Sequence, residues 1–139
     1  MPISYLTRIV EFNATHRIRR ADWSDAQNRA EFGKAAAEHG HRYQCRVTVK
    51  GPLHAEAGGV MSLQALDALL EAEVVRRFDG KSINAAAPEF GDGRRLATGE
   101  AIAAYLWERV ASGLPQGVTL HAVRVQEGPH IYSEYFGES

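Results

Sequence analysis

The sequence predicts an α+β domain: a β-β-α-α-β-β unit in which a four-stranded antiparallel sheet carries two helices on one face. Three observations predict it. Apolar residues recur at every second position near both ends of the chain. Two central stretches instead repeat at helical spacing. No repeat, low-complexity segment or Pro/Gly-rich linker separates them, so strands and helices belong to one layered unit spanning residues 1–139.

Each element has its own warrant. In residues 3–16, "ISYLTRIVEFNATH", Val10, Phe12, Ala14 and His16 share one strand face. Residues 24–32 open a short helix with Ser24 as N-cap, and Gly33 ends it. Residues 41–50, "HRYQCRVTVK", alternate cleanly. His41, Tyr43, Cys45, Val47 and Val49 lie on one side, and Arg42, Gln44, Arg46, Thr48 and Lys50 on the other. Residues 62–77 set Leu63, Leu66, Leu69, Leu70 and Val74 on one helical face. Residues 98–112 form a second helix behind Thr98 as N-cap, and 118–127 with 131–136 close the chain as a hairpin.

Composition narrows the function classes. Apolar residues make up 45% of the chain, enough for a core. The net charge of −1 gives no field favouring nucleic acid or membrane surfaces. No apolar run approaches the roughly 20 residues that cross a bilayer. The N-terminal "MPISYLTRIVEF" lacks a signal-peptide layout, and a single cysteine, Cys45, suits a reducing compartment. The expectation is a cytoplasmic protein with Cys45 as a small buried hydrophobe.

The chemistry concentrates in "AAAEHGHRY", residues 35–43. His39 and His41 are two apart at a strand start, so both side chains point the same way. His16 ends the first strand on its apolar face. Antiparallel pairing of the two strands brings that end to the start of the next, and three imidazoles converge. Three neutral nitrogens with an open fourth position form the layout of a catalytic zinc site. The pair alone is not decisive, because chance supplies an H-x-H about 0.25 times in a chain of this composition. His16 at the matching strand end adds the weight. His54 reads as a loop residue, and His121, beside Val123 and Val125, as a satisfied core or interface histidine.

The ordered pieces "FNATHRI", "SDAQNRAEFGKA", "HGHRYQCRVTVKG", "GGVMSL", "RFDGKSIN", "ATGEAIAAYLWERV" and "VRVQEG" resemble the 6-pyruvoyl-tetrahydropterin synthase family over nearly the whole chain. That family includes the 6-carboxy-tetrahydropterin synthases. The "SDxxNxxxFGK" stretch is similar to the pyruvoyl branch in particular. The resemblance implies the tunnelling fold, with three units closing a barrel, two trimers stacking into a homohexamer, and pockets between subunits. It implies zinc on His16, His39 and His41. The substrate would be a small pterin-like molecule, dihydroneopterin triphosphate or a close analogue, whose side-chain hydroxyls the zinc binds and acidifies. Glu127 matches the residue that anchors the pterin ring, because a carboxylate takes two adjacent N–H donors. Thr98 and Glu100 match the segment lining the same pocket. On their own these residues also read as a solvated hairpin charge and a helix cap.

The departures are as informative. The family's cysteine base aligns with Ala35, whether counted from "FGK" or back from His39. Its aspartate–histidine pair keeps Asp79 but has Gly80 in the histidine's place, and the Asp or Asn after "GxVx" is Ser62. An alanine accepts no proton, and losing a positioned base costs about two to four orders of magnitude in rate. Relatives that cleave the side chain carry a glutamate three residues before the first histidine, where this chain has Ala36. Glu38, next to His39, and His130, in the hairpin turn, remain as substitute proton carriers beside Asp79. Each also reads as a solvated residue. Three classes stand open: a zinc-dependent lyase of the synthase type, a diverged zinc enzyme doing retro-aldol cleavage or acting on another purine-like substrate, and a non-catalytic pterin binder.

Overall fold

The computed structural model describes residues 1–139. The first strand, β1 (Ile3–His16), runs antiparallel to β2 (His39–Pro52) along its full length. Both strands alternate apolar and polar residues, so a slip of one residue would turn every core side chain outward. Between them α1 (Asp25–Phe32) starts at Ser24. The Ser24 hydroxyl accepts the Gln27 N–H at 3.1 Å while the Gln27 side chain accepts the Ser24 N–H at 2.8 Å, a reciprocal cap. Gly33 ends α1 at φ +59°, a conformation open to glycine.

The long predicted helix becomes α2 (Leu63–Leu70), a wider π turn at Glu71–Val75, and α3 (Arg76–Phe78). After it come the two-residue strand β3 (Lys81–Ser82), the short helix α4 (Ile83–Ala86), α5 (Gly99–Ala111), and the hairpin β4 (Thr119–Gly128) and β5 (Ile131–Tyr135). Sheet order is β3-β1-β2-β4-β5.

Two expectations need correction. The sheet is mixed and has five strands, because β3 pairs in parallel with Ala14–Thr15 of β1. Two residues carry no readable period. They are held by the turn before them: Asp79 Oδ1 accepts the Asn13 N–H at 2.9 Å, and the Gly80 N–H donates to the Asn13 carbonyl at 2.7 Å. His121 is exposed, its ring meeting Tyr5 edge-on at 4.7 Å, which removes the core reading and leaves the interface one. A bulge between Thr48 and Val49 in the β2–β4 pairing shifts the alternation there, so His121 falls on the outer side while Ala122 and Val123 turn in.

The core lies between one sheet face and the helices. Phe12, Tyr43 and Val47 from the strands meet Leu66 from α2 and Ile102 and Leu106 from α5, all fully buried. Burying each such side chain stabilises by about 1.5–3 kcal/mol before entropy is counted. Cys45 is fully buried among them, as expected. No helix is long and apolar enough to cross a membrane.

Candidate metal centre

The β1–β2 register creates the site. His16 is the direct partner of His39, and Ala14 the partner of His41, so the last rung of the ladder gathers three imidazoles at one sheet corner. Ring centroids lie 4.4 Å apart for His16–His39, 5.2 Å for His16–His41 and 4.8 Å for His39–His41. One nitrogen from each ring falls within 4.8 Å of the others.

The backbone chooses which nitrogen each ring presents. His16 Nδ1–H donates to the Ala97 carbonyl at 2.8 Å, and His39 Nδ1–H donates to the Ala37 carbonyl at 2.8 Å. Both rings are thereby fixed in the tautomer that leaves Nε2 as a lone-pair donor. A carbonyl that orients a ring in this way is the usual support of a metal-binding histidine. Nε2 of His16 and of His41 are buried and have no protein partner. Unpaired buried nitrogens are costly unless a ligand satisfies them. Burial brings the His16 pKa down to about 4 and lowers that of His41, so both rings are neutral near pH 7. Three convergent imidazoles, each presenting a ring nitrogen to the same point, fit a divalent ion of borderline softness.

Glu127 approaches this centre from β4. Its charge raises the pKa of His41 and of the buried Tyr43 phenol, although burial dominates both groups. A Cβ on Gly99 would come within 3.2 Å of Glu127 Oε1 and 2.7 Å of Ser133 Oγ, so the carboxylate sits against the start of α5. The positive end of that helix favours an anion there. Thr98 caps the helix, its hydroxyl accepting the Ala101 N–H at 3.1 Å, and Glu100 is exposed in the first turn.

The proton-carrier candidates are more scattered. Asp79 is exposed and spends one carboxylate oxygen on the Asn13 N–H. Gly80 has φ +74° with open space where a side chain would start, and it shares a cavity of about 480 Å³ with His41 and Gly40. Glu38 is exposed, lines a separate depression with Arg17 and Asp92, and raises the His16 pKa slightly by its charge. His130 is exposed in the β4–β5 turn. Ala35 is half-buried in a 3₁₀ turn, its carbonyl accepting the Ile18 N–H at 2.8 Å, beside the segment that leaves His16.

Sequence reasoning missed three parts of the site. The carbonyls of Ala37 and Ala97 orient the rings but carry no side-chain signal. The Tyr43 hydroxyl, buried and without a protein partner beside His41, was read only as core. The closeness of Gly99 to Glu127 was detectable only as a glycine directly after the Thr98 cap.

Comparison with known proteins agrees with this geometry. A family model described as 6-pyruvoyl tetrahydropterin synthase matches residues 5–138. The 6-pyruvoyl tetrahydrobiopterin synthase of Homo sapiens is 34% identical over 135 residues, covering 96% of this chain and 91% of that protein. That of Drosophila melanogaster is 31% identical over 138 residues, covering 98% of this chain and 81% of that protein. The structure of Caenorhabditis elegans 6-pyruvoyl tetrahydropterin synthase superposes with a TM-score of 0.91 at 28% identity, over 99% of this chain and 98% of the other. The fold, the histidine centre and the continuous match across the chain place this protein in the 6-pyruvoyl tetrahydropterin synthase family.

Proposed function

We propose that the chain is a zinc-dependent pterin-pathway lyase acting on dihydroneopterin triphosphate or a close analogue. The observation that carries this reading is the set of three convergent imidazoles, two of them locked by backbone carbonyls with Nε2 free. His16, His39 and His41 hold the zinc. Bound there, zinc supplies a Lewis acid that lowers the pKa of a hydroxyl held against it.

The protein's own groups do the rest. Glu127 accepts two N–H bonds from the edge of the pterin ring and fixes its orientation. Thr98 and Glu100 bound the same pocket, Thr98 by setting where α5 begins. Burial of the His16 side withholds water from the reacting end. Proton transfer falls to Asp79, Glu38 and His130, because position 35 offers only a methyl group and position 80 no side chain.

That last observation favours a second reading, a family member with altered chemistry. Side-chain retro-aldol cleavage, or reaction of another purine-like compound, would use the same zinc and ring anchor with a different base. A pure pterin binder fits less well, since it has little need of an open metal position. Incubating zinc-loaded protein with dihydroneopterin triphosphate and identifying products by mass tests the proposal. Elimination of triphosphate supports the synthase reading, a 6-hydroxymethyl pterin supports the second, and unchanged substrate counts against both enzymatic readings. Assembly as a homohexamer of two stacked trimers, in the cytoplasm, belongs to the same proposal.

A further inference from the structure

Ser133 on β5 has no part in the roles above, yet its hydroxyl lies against the proposed ring anchor. Ser133 pairs with Val125 across the β4–β5 hairpin, two residues before Glu127. Glu127 itself falls at an irregularity of that pairing, between Gln126 and Gly128. Bulges of this kind re-aim a side chain out of the regular alternation.

Gly99, the first residue of α5, completes the arrangement. A side-chain carbon there would stand 2.7 Å from Ser133 Oγ, 3.2 Å from Glu127 Oε1 and 3.5 Å from Ser133 Cβ. The hydroxyl fills the space that a larger residue at position 99 would need. Gly99 lies in a helix and outside the left-handed region, so its backbone is open to any residue. Space, not conformation, is what the missing side chain provides.

The hydroxyl is an odd choice for a spacer. Ser133 is half-buried, and its oxygen lies against the fully buried Gly99. A hydroxyl drawn away from water costs free energy unless it is hydrogen-bonded, whereas a methyl group would fill the same space without that cost. No hydrogen bond joins Ser133 to Glu127, so its proton is free for a third group.

The ring edge supplies that group. A carboxylate that takes two neighbouring N–H donors leaves the next atom along the edge unread. On a pterin ring both atoms flanking the donor pair are acceptors, the keto oxygen on one side and a bare ring nitrogen on the other. A hydroxyl beside the carboxylate donates to either one.

We infer that Ser133 is a specificity-determining residue of the ring pocket, its hydroxyl donating to the acceptor that flanks the N–H pair held by Glu127. Carboxylate and hydroxyl together read two donors beside one acceptor, and the bare Gly99 lets β5 deliver the third contact. The inference rests on the proposed role of Glu127 as ring anchor.

The test is fluorescence titration of the intact protein with dihydroneopterin, with zinc content measured on the same samples. Ser133→Ala is expected to weaken binding about fivefold or more at unchanged zinc. Adding Gly99→Ser to Ser133→Ala returns a hydroxyl from the helix side, with the 2.7 Å obstruction gone, and is expected to recover most of the loss. Adding Gly99→Ala instead brings the bulk without the hydroxyl and is expected to recover nothing. If the Gly99 variants fail to fold, Ser133→Thr, which keeps the hydroxyl, is read instead and is expected to retain the affinity that Ser133→Ala loses. Three results overturn the inference while a loss in Glu127→Gln keeps the anchor: wild-type affinity in Ser133→Ala, Gly99→Ser recovering no more than Gly99→Ala, or Ser133→Thr as weak as Ser133→Ala. No binding by the wild type, or unchanged affinity in Glu127→Gln, fails the anchor reading and overturns the inference with it.

Discussion

His16 and His39 face each other across the last rung of the β1–β2 ladder, their ring centroids 4.4 Å apart and each ring held by a different backbone carbonyl. The histidine trio is thus a product of strand register. Purified protein is expected to contain about one zinc per chain, falling sharply in His39→Ala while the fold persists, since His39 is only half-buried. Elemental analysis of both proteins checks this, and undiminished zinc in the variant would sink the assignment.

Gly99 offers a test of Glu127 that leaves the carboxylate in place. A methyl group there would press on Ser133 Oγ and on Glu127 Oε1. Gly99→Ala is therefore expected to shift the carboxylate and weaken pterin binding, as Glu127→Gln does by removing the charge. Losing a charge-assisted bond costs about 1.5–3 kcal/mol, or roughly tenfold to hundredfold in affinity. Fluorescence titration with a reduced pterin measures it, and wild-type affinity in both variants would remove Glu127 from the site.

Restoring the missing carriers separates a weakened synthase from a diverged enzyme. Ala35→Cys with Gly80→His supplies a thiol and an imidazole beside Asp79. Position 80 has room for the ring, but its φ of +74° costs about 1–2 kcal/mol for a non-glycine residue. A gain of about a hundredfold or more in triphosphate elimination is expected of the weakened synthase. A folded, zinc-loaded double variant that is no faster would end that reading.

Cys45 provides a pH-dependent readout of the core. Burial pushes its thiol up to about 12 from the model-compound value of 9.0. Below pH 9 the thiol is protonated both folded and unfolded, so it adds no pH dependence. As pH rises from 9 toward 12 only the unfolded chain releases the proton, and stability falls. Native protein at pH 8 is expected to resist a thiol reagent that titrates one group per chain in denaturant. Rapid native labelling would show that the core opens at this strand.

Both ends of the sheet remain open. β3 covers only Ala14 and Thr15 of β1, and β5 has no outer neighbour. Ile3, Tyr5 and Ile9 are exposed along β1, and Ile131, Tyr132 and Phe136 at the other edge. Two different open edges suit head-to-tail pairing, which closes a ring. Sedimentation at micromolar concentration is expected to show a trimer or hexamer, and a monomer would contradict the proposed assembly.

The elements with long, regular alternation were legible in the sequence. The Val47–Val49 face of β2 and the Leu66–Leu70 face of α2 bury as their spacing predicts. Placing His16 beside His39 required only that two alternating strands pair end to end. β3 was not legible, because it depends on Asp79 and Gly80 gripping Asn13, a tertiary contact. The core reading of His121 failed because a bulge reverses the period locally. The ring-orienting carbonyls of Ala37 and Ala97 belong to the backbone, where residue identity says nothing.

The register of β1 against β2 has a consequence for how such a chain can change over time. The ladder sets where the Cα atoms of His16, His39 and His41 stand, so residues 17–36 can lengthen, shorten or exchange side chains without parting them, provided Ala37 keeps its carbonyl on the His39 ring. Position 35 rides on that excursion. Under the proposed function, the residue at position 35 is a replaceable part beside a histidine trio whose placement the ladder keeps. An insertion inside either strand would part the three imidazoles, whereas a change in the excursion leaves them together.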